Sequence, residues 1–473
     1  MKRSFNIRLV IAFGLAMIAP FSGAAIQGIS GDTATDCSPG IDRCFELAAT
    51  AGPVALGDGN SLIAWSYADA STAGGGQMQY PGPTLFINQG DIVTITLTNT
   101  LATEPVSIVF PGQSGVTTSG GDTDGILTRE LAPASAISVV YTFTAAQAGT
   151  YLYQSGTNPE VQIEMGMVGA IIVRPAGFEP VVDPQVTPAN QTAYGTVASV
   201  YDREYLFFLT EMDTSAHEAI ALGQTVDPIR FNSRLWFING RNGPDTLHRD
   251  FAPWLPSQPY GALAQMEPGE RVLMRIISAG RDLHPFHHHG NNAWLIAQDG
   301  RVLGNSEVAY PDYLPPAGLN PITDLPTGTM LPNEAVSNYT IQAVPGNTYD
   351  AVFTWTGIGM GWDIYGDRPG HTAGDCIAAP AGLMPREDPN SHCSDLDDKV
   401  VLPEQQALSF GGLWSGSPFL GSLEVLPPDQ GGLNPNGGFS FMWHSHTERE
   451  LTNDDIFPGG MMTMMIIEAP GTL

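Results

Sequence analysis

The sequence predicts an all-β fold in which two β-sandwich domains follow one another along the chain. Short segments alternate apolar and polar residues at period two, with Gly and Pro between them and almost no helical periodicity. Turn-and-strand motifs of the first half recur in the second, and the second half gathers histidines into two tight clusters. Many short strands separated by turn signals bury their apolar faces by packing sheet on sheet.

The 473 residues suffice for two or three domains. Residues 1–25 read as a secretory signal peptide. Lys2, Arg3 and Arg8 precede an apolar run from Leu9 to Phe21, and Ser22-Gly-Ala-Ala25 supplies small residues for cleavage. The run is short for a bilayer span, and no later segment approaches that length. The mature chain is therefore expected to be exported, to the periplasm or the extracellular space, with no membrane span. The full sequence has a net charge of −29, from 48 acidic and 19 basic residues. Such a surface repels nucleic acid and anionic lipid, and otherwise speaks to solubility. The cysteines fall in two close pairs, which in an exported chain favours disulfides Cys37–Cys44 and Cys376–Cys393.

Residues 26–44 read as an N-terminal arm carrying the first cysteine pair. Domain 1, residues 45–176, contains the strand-like runs Asp91-Ile-Val-Thr-Ile-Thr-Leu-Thr98, Ser138–Phe143, Gly149–Tyr153 and Gly169–Val173. A Pro-rich stretch within 177–200 reads as a linker. Domain 2, residues 201–473, opens near Tyr205-Leu-Phe-Phe-Leu209 and is too long for one plain sandwich. The excess lies in Gly/Pro-rich insertions at about 303–335 and 365–437, the second stapled by Cys376–Cys393.

The histidine clusters are His284-Pro-Phe-His-His-His289 and His444-Ser-His446. In a strand, residues two apart share a face, so His287 and His289 aim together, as do His444 and His446. Two converging imidazole pairs suit copper or zinc. His288 points off the shared face and reads as a surface or supporting residue, while His217, His248, His371 and His392 are scattered. The internal repeat aligns Gly90 with Gly269 and Gly112 with Gly290. On that alignment His287 and His289 correspond to Val109 and Pro111, and His444 and His446 to Gln154 and Gly156. Domain 1 has thus lost its metal ligands. Met461, Met462, Met464 and Met465 offer soft thioethers, but their place on a last strand favours core packing.

These landmarks resemble the multicopper oxidase superfamily, built from cupredoxin domains and including the laccases. Tyr80-Pro-Gly-Pro-Thr-Leu85 with Gln89–Asn99 looks like the opening of a first domain, and Trp236-Phe-Ile-Asn-Gly-Arg241 like that of a later one. His284–Gly290 is similar to the superfamily's copper motif, and Trp443–His446 followed by Gly459-Gly-Met461 to the motif that closes a copper domain. The resemblance implies two tandem cupredoxin-like Greek-key β-sandwich or barrel domains, the second enlarged by long insertions, with copper as cofactor. It assigns His287 to a type 2 copper, His289, His444 and His446 to a type 3 pair, and His284 to a type 1 copper. Full members carry a cysteine between the last two histidines. Here that residue is Ser445, Glu450 stands in place of the second type 1 histidine, and Asp455 lies near the axial position. The type 1 centre is therefore expected to be absent, leaving His284 without its partners. A hard-ligand set from His284, Glu450 and Asp455 is a further arrangement, one that oxygen-ligand spacing specifies poorly.

The trinuclear cluster of the superfamily draws half its histidines from each of two domains, and this chain supplies one half. Either another chain completes it, a second copy or a partner oxidase subunit, or the chain holds one or two coppers alone. The function classes that follow are a copper-dependent oxidoreductase active as part of an assembly and a non-catalytic copper-binding or accessory protein. No nucleophile elbow, phosphate-binding loop, His-Glu-x-x-His helix or dinucleotide fingerprint supports another chemistry.

Overall fold

The computed structural model describes residues 26–33, 37–71, 76–178, 191–267, 269–309, 329–355, 439–468 and 473. Residues 1–25, read as a signal peptide, residues 179–190 of the linker, the 365–437 insertion with Cys376 and Cys393, and His371 and His392 lie outside the described residues. The Cys37–Cys44 disulfide is formed.

In domain 1 the strands are β1 (Arg43–Ala55), β2 (Ser61–Asp69), β3 (Gly82–Asn88), β4 (Ile92–Asn99), β5 (Ile108–Val109), β6 (Val139–Thr144), β7 (Gly149–Ser155) and β8 (Val168–Arg174). One sheet runs in the order β2-β1-β4-β6 and the other β3-β8-β7-β5. The period-two pattern explains why they pack. Val93, Ile95 and Leu97 of β4 are fully buried between the sheets, while Thr94, Thr96 and Thr98 face outward. Each such aliphatic side chain contributes about 1.5–3 kcal/mol on burial.

Domain 2 repeats this plan with β9 (Arg203–Met212), β10 (Leu235–Ile238), β11 (Ala264–Met266), β12 (Arg271–Ser278), β13 (His284–His288), β14 (Ala293–Gln298), β15 (Thr340–Ala343), β16 (Thr348–Thr354), β17 (Phe439–Ser445) and β18 (Met462–Ile467). Its sheets are ordered β10-β9-β12-β16-β14 and β11-β18-β17-β13-β15. Strand pairs β1/β4 and β9/β12 are both parallel, as are β3/β8 and β11/β18. The two domains therefore share topology as well as motifs.

The outer face of β7 and β8 in domain 1 packs Leu152, Val168 and Ala170 against Leu206, Phe208 and Ile277 of domain 2. Beside this apolar seam a buried ion network crosses the junction. Arg174 bonds Glu204, Arg275 bonds the same carboxylate at 2.9 Å, and Thr150 donates to Asp350 at 2.6 Å. Burial raises the Glu204 carboxyl, but the Arg174 and Arg275 guanidinium groups more than offset it and hold the pKa down at about 2. The helix at Thr214–Ala221, capped by the Asp213 carboxylate, interrupts the all-β reading. It buries His217, whose ring nitrogens lie 2.7 and 3.0 Å from the domain 1 carbonyls of Ile63 and Glu164.

Candidate metal centre

Strand β13 is held between two neighbours, and its register sets the site. Against β15 it pairs His284 with Ala343 and His287 with Thr340. Against β17 it pairs Phe286 with Ser445 and His287 with His444. His284, Phe286 and His288 point into the core, whereas His287 points outward. On β17, Trp443 and Ser445 point inward and His444 shares the outer face of His287. His289 and His446 follow their strands on that same side.

Four of the expected ligands therefore meet. Ring centroids stand 4.9 Å apart for His287 and His289, 5.4 Å for His287 and His444, and 4.9 Å for His287 and His446. One ligand nitrogen from each of His287, His289 and His444 lies within 4.8 Å of the others. The His289 and His444 Nε2 atoms are 3.3 Å apart. Two nitrogens at 2.0–2.1 Å from one tetrahedral ion would be about 3.3–3.4 Å apart, so this pair is spaced for a shared ion. His446 stands at the rim, its side chain 53% exposed and its Nδ1 3.1 Å from the Glu448 carboxylate.

The rings are oriented from behind. His444 Nδ1 is 2.7 Å from the Ser445 carbonyl, which only accepts, so Nδ1 carries the proton and Nε2 presents a lone pair. His287 Nδ1 lies 2.8 Å from the Thr340 hydroxyl, a hydrogen bond that orients that ring. Trp443, packed in the core against Phe207 and edge-on to Phe353, donates its indole N–H to the His289 carbonyl at 3.2 Å. Burial, assisted by the neighbouring His446, lowers the His287 pKa below the ordinary imidazole value. Burial likewise lowers His444, against the opposing bond to Ser445. Both rings are neutral at pH 7, as ligation requires. Thr340 carries no sequence signal for this role; only the β13–β15 register reveals it.

His284 and His288 do not join this set. His288 is fully buried beside Trp443 and Phe353, where its Nε2 accepts the Ala293 N–H at 2.9 Å, and burial pushes its pKa down to about 3. The surface placement considered for it is corrected by the inward alternation of β13. His284 lies on the opposite sheet face from His287, with Nδ1 2.9 Å from Glu450 and Nε2 2.9 Å from Glu211. The set His284, Glu450 and Asp455 is not assembled either, because Asp455 pairs with Arg234. Met461 and Met465 fill the main core, and Met462 and Met464 pack with Leu247 and Leu451, in keeping with the packing role expected of them.

Domain 1 shows the same register without the ligands. Gln154 pairs with Val109 where His444 pairs with His287, as the repeat alignment requires.

Residues 65–177 match the multicopper oxidase family. Among curated proteins, an L-ascorbate oxidase of Cucumis sativus is 37% identical over 99 residues, 20% of this chain and 16% of the relative. A probable nitrite reductase-hydroxylamine oxidoreductase fusion protein of Kuenenia stuttgartiensis is 25% identical over 269 residues, 55% of this chain and 26% of the relative. The matched segments thus span about a quarter or less of these relatives' lengths. Among solved structures, the blue copper oxidase of Nitrosomonas europaea superposes with a TM-score of 0.51 at 17% identity, over 90% of this chain and 85% of that one, which is a likeness of fold. Copper is the metal these relationships imply, and three convergent imidazoles with paired Nε2 atoms fit it. The family match over residues 65–177 and the repeated cupredoxin-like topology, shared with the blue copper oxidase, make this chain similar to the multicopper oxidases in sequence over domain 1 and in fold over both domains.

Proposed function

We propose that this is an exported copper-binding protein of multicopper-oxidase type whose metal site is completed by another chain. The observation that carries the reading is the convergence of His287, His289 and His444 on a sheet face that leaves His446 open to solvent. His287, His289 and His444 would hold copper through Nε2, with His446 at the open rim available to a shared cluster. Copper bound there would supply redox chemistry. This chain's residues contribute neutral, pre-oriented imidazoles, set by Thr340 and the Ser445 carbonyl, and a core of Trp443, Phe286 and Phe353 that keeps water from the back of the site. A second copy or a partner oxidase subunit would add the facing ligands that Val109, Pro111, Gln154 and Gly156 do not provide.

Copper titration of the secreted chain, with its mass in solution and its visible spectrum, tests this. Expected are copper uptake that His444→Ala abolishes, association on loading, and no intense blue thiolate-to-copper band, because Ser445 stands in the cysteine's place. A blue band, or wild-type protein that takes up no copper, sinks the reading.

A second reading is favoured by one observation: Ser445 leaves no thiolate to pass electrons to the histidines. On this reading the protein binds copper without turnover, as an accessory to a true oxidase. Oxygen consumption by the copper-loaded assembly with a reducing phenol separates the two.

A further inference from the structure

We propose that His284, Glu211 and Glu450 form a charged clamp that positions the copper ligands, built where the superfamily resemblance would put a type 1 copper. The inference rests on reading His287, His289 and His444 as the copper site, and it assigns a role to the three buried ionisable groups which that reading leaves unused.

His284 contributes no exposed side-chain surface, Glu211 none, and Glu450 only 5%. Each ring nitrogen stands 2.9 Å from a carboxylate oxygen, the geometry of an imidazolium that donates on both sides. The carboxylates sit on opposite sides of the ring, so no single metal ion reaches all three groups. An isolated charge at this depth is strongly disfavoured, and each member is held by the others. Glu211 is anchored in turn by the backbone N–H groups of Arg281 and Asp282. Gly280, at φ +132°, is needed beside it because a Cβ there would overlap the carboxylate.

The clamp reaches the copper ligands through the backbone. His284 precedes His287 by three residues on β13, and Glu450 lies in the short 3-10 turn Glu448–Leu451 that follows His446. Between them the His446 N–H donates to the Pro285 carbonyl at 2.8 Å, beyond the last β13–β17 pair. Glu448 of the same turn meets the His446 ring. His284, Glu211 and Glu450 therefore tie three segments, β9, β13 and the turn, at the end of the ladder where the two histidine pairs converge. These are positioning residues rather than ligands.

The test uses the full chain in two states. In metal-free protein labelled with nitrogen-15, both His284 ring nitrogens are expected to carry protons at about pH 8, above the ordinary imidazole pKa of about 6.5. A bare nitrogen there overturns the clamp. In copper-loaded protein, Glu450→Gln is expected to weaken copper binding about tenfold and to change the copper(II) electron paramagnetic resonance pattern. A lower melting temperature with unchanged affinity and spectrum overturns the positioning role. Should Glu450→Gln fail to fold, Gly280→Ala displaces Glu211 from the other side, and the same changes are expected of it. Wild-type protein that takes up no copper overturns the site reading and the positioning role together, while the metal-free nitrogen signals still decide the clamp.

Discussion

His287 and His444 face each other across adjacent antiparallel strands, and that one pairing brings two histidine motifs more than 150 residues apart onto a single sheet face. A slip of one residue would turn His444 inward and put Ser445 on the ligand face, because side chains alternate at period two. The register is pinned on the other side by the β17–β18 ladder, which sets His444 opposite Met462.

His289→Ala and His444→Ala each remove one of the Nε2 atoms that lie 3.3 Å apart. Each is expected to weaken copper binding by more than the roughly 10–100-fold that loss of an outer-shell partner costs. Chelator competition measures it. His288→Gln, behind the site, is expected to lower stability and leave the copper(II) spectrum in place, since its Nε2 bonds the Ala293 N–H instead.

Thr340→Val keeps the shape of the β15 side chain and deletes the hydroxyl that orients His287. Copper affinity is expected to fall about tenfold, with a stability change near 1 kcal/mol from the lost hydrogen bond. Equal affinities for the two proteins would show that His287 is oriented by its strand alone.

Copper binding has a defined pH response. His287 and His444 have pKa values lowered by burial, so they stay neutral at pH values where an exposed imidazole is protonated. Affinity is therefore expected to hold below about pH 6.5, the ordinary imidazole value, and to fall only at more acid pH. Titrations across mildly acid pH read this directly.

The His284 clamp responds in the opposite direction. Burial alone would lower its pKa, but the hydrogen bonds and charges of Glu211 and Glu450 push it up to about 10. A raised imidazolium contributes stability that is fully present below the unfolded value of about 6.5 and is lost as pH rises through the folded value. Thermal melts of wild type are expected to decline between neutral pH and about pH 10, and His284→Gln to flatten that decline. At neutral pH, removing one member of the buried set is expected to cost on the order of 3–5 kcal/mol.

Much of the fold was legible because it is written in local chemistry. The alternation in Asp91–Thr98 anticipated β4 at Ile92–Asn99, and Gly169–Val173 anticipated β8 at Val168–Arg174. The helix at Thr214–Ala221 is not legible in the sequence because its eight residues are too few for a clear period, and its Asp213 cap only acquires meaning once the helix exists. Spacing alone leaves His217 scattered from the other histidines, whereas the helix buries it against domain 1.

The sequence by itself determined which histidines share a face, because two-residue spacing on a strand leaves no other choice. It also determined, through the repeat, that domain 1 offers Val109 and Gln154 where domain 2 offers His287 and His444. Only the tertiary structure decided what His284 does. Its partners, Glu211 and Glu450, lie 73 and 166 residues away; the resemblance put Glu450 near His284, but nothing in the sequence marks Glu211 as facing the imidazole. Burial then makes the choice a charged one, since three ionisable groups removed from water persist by pairing with one another.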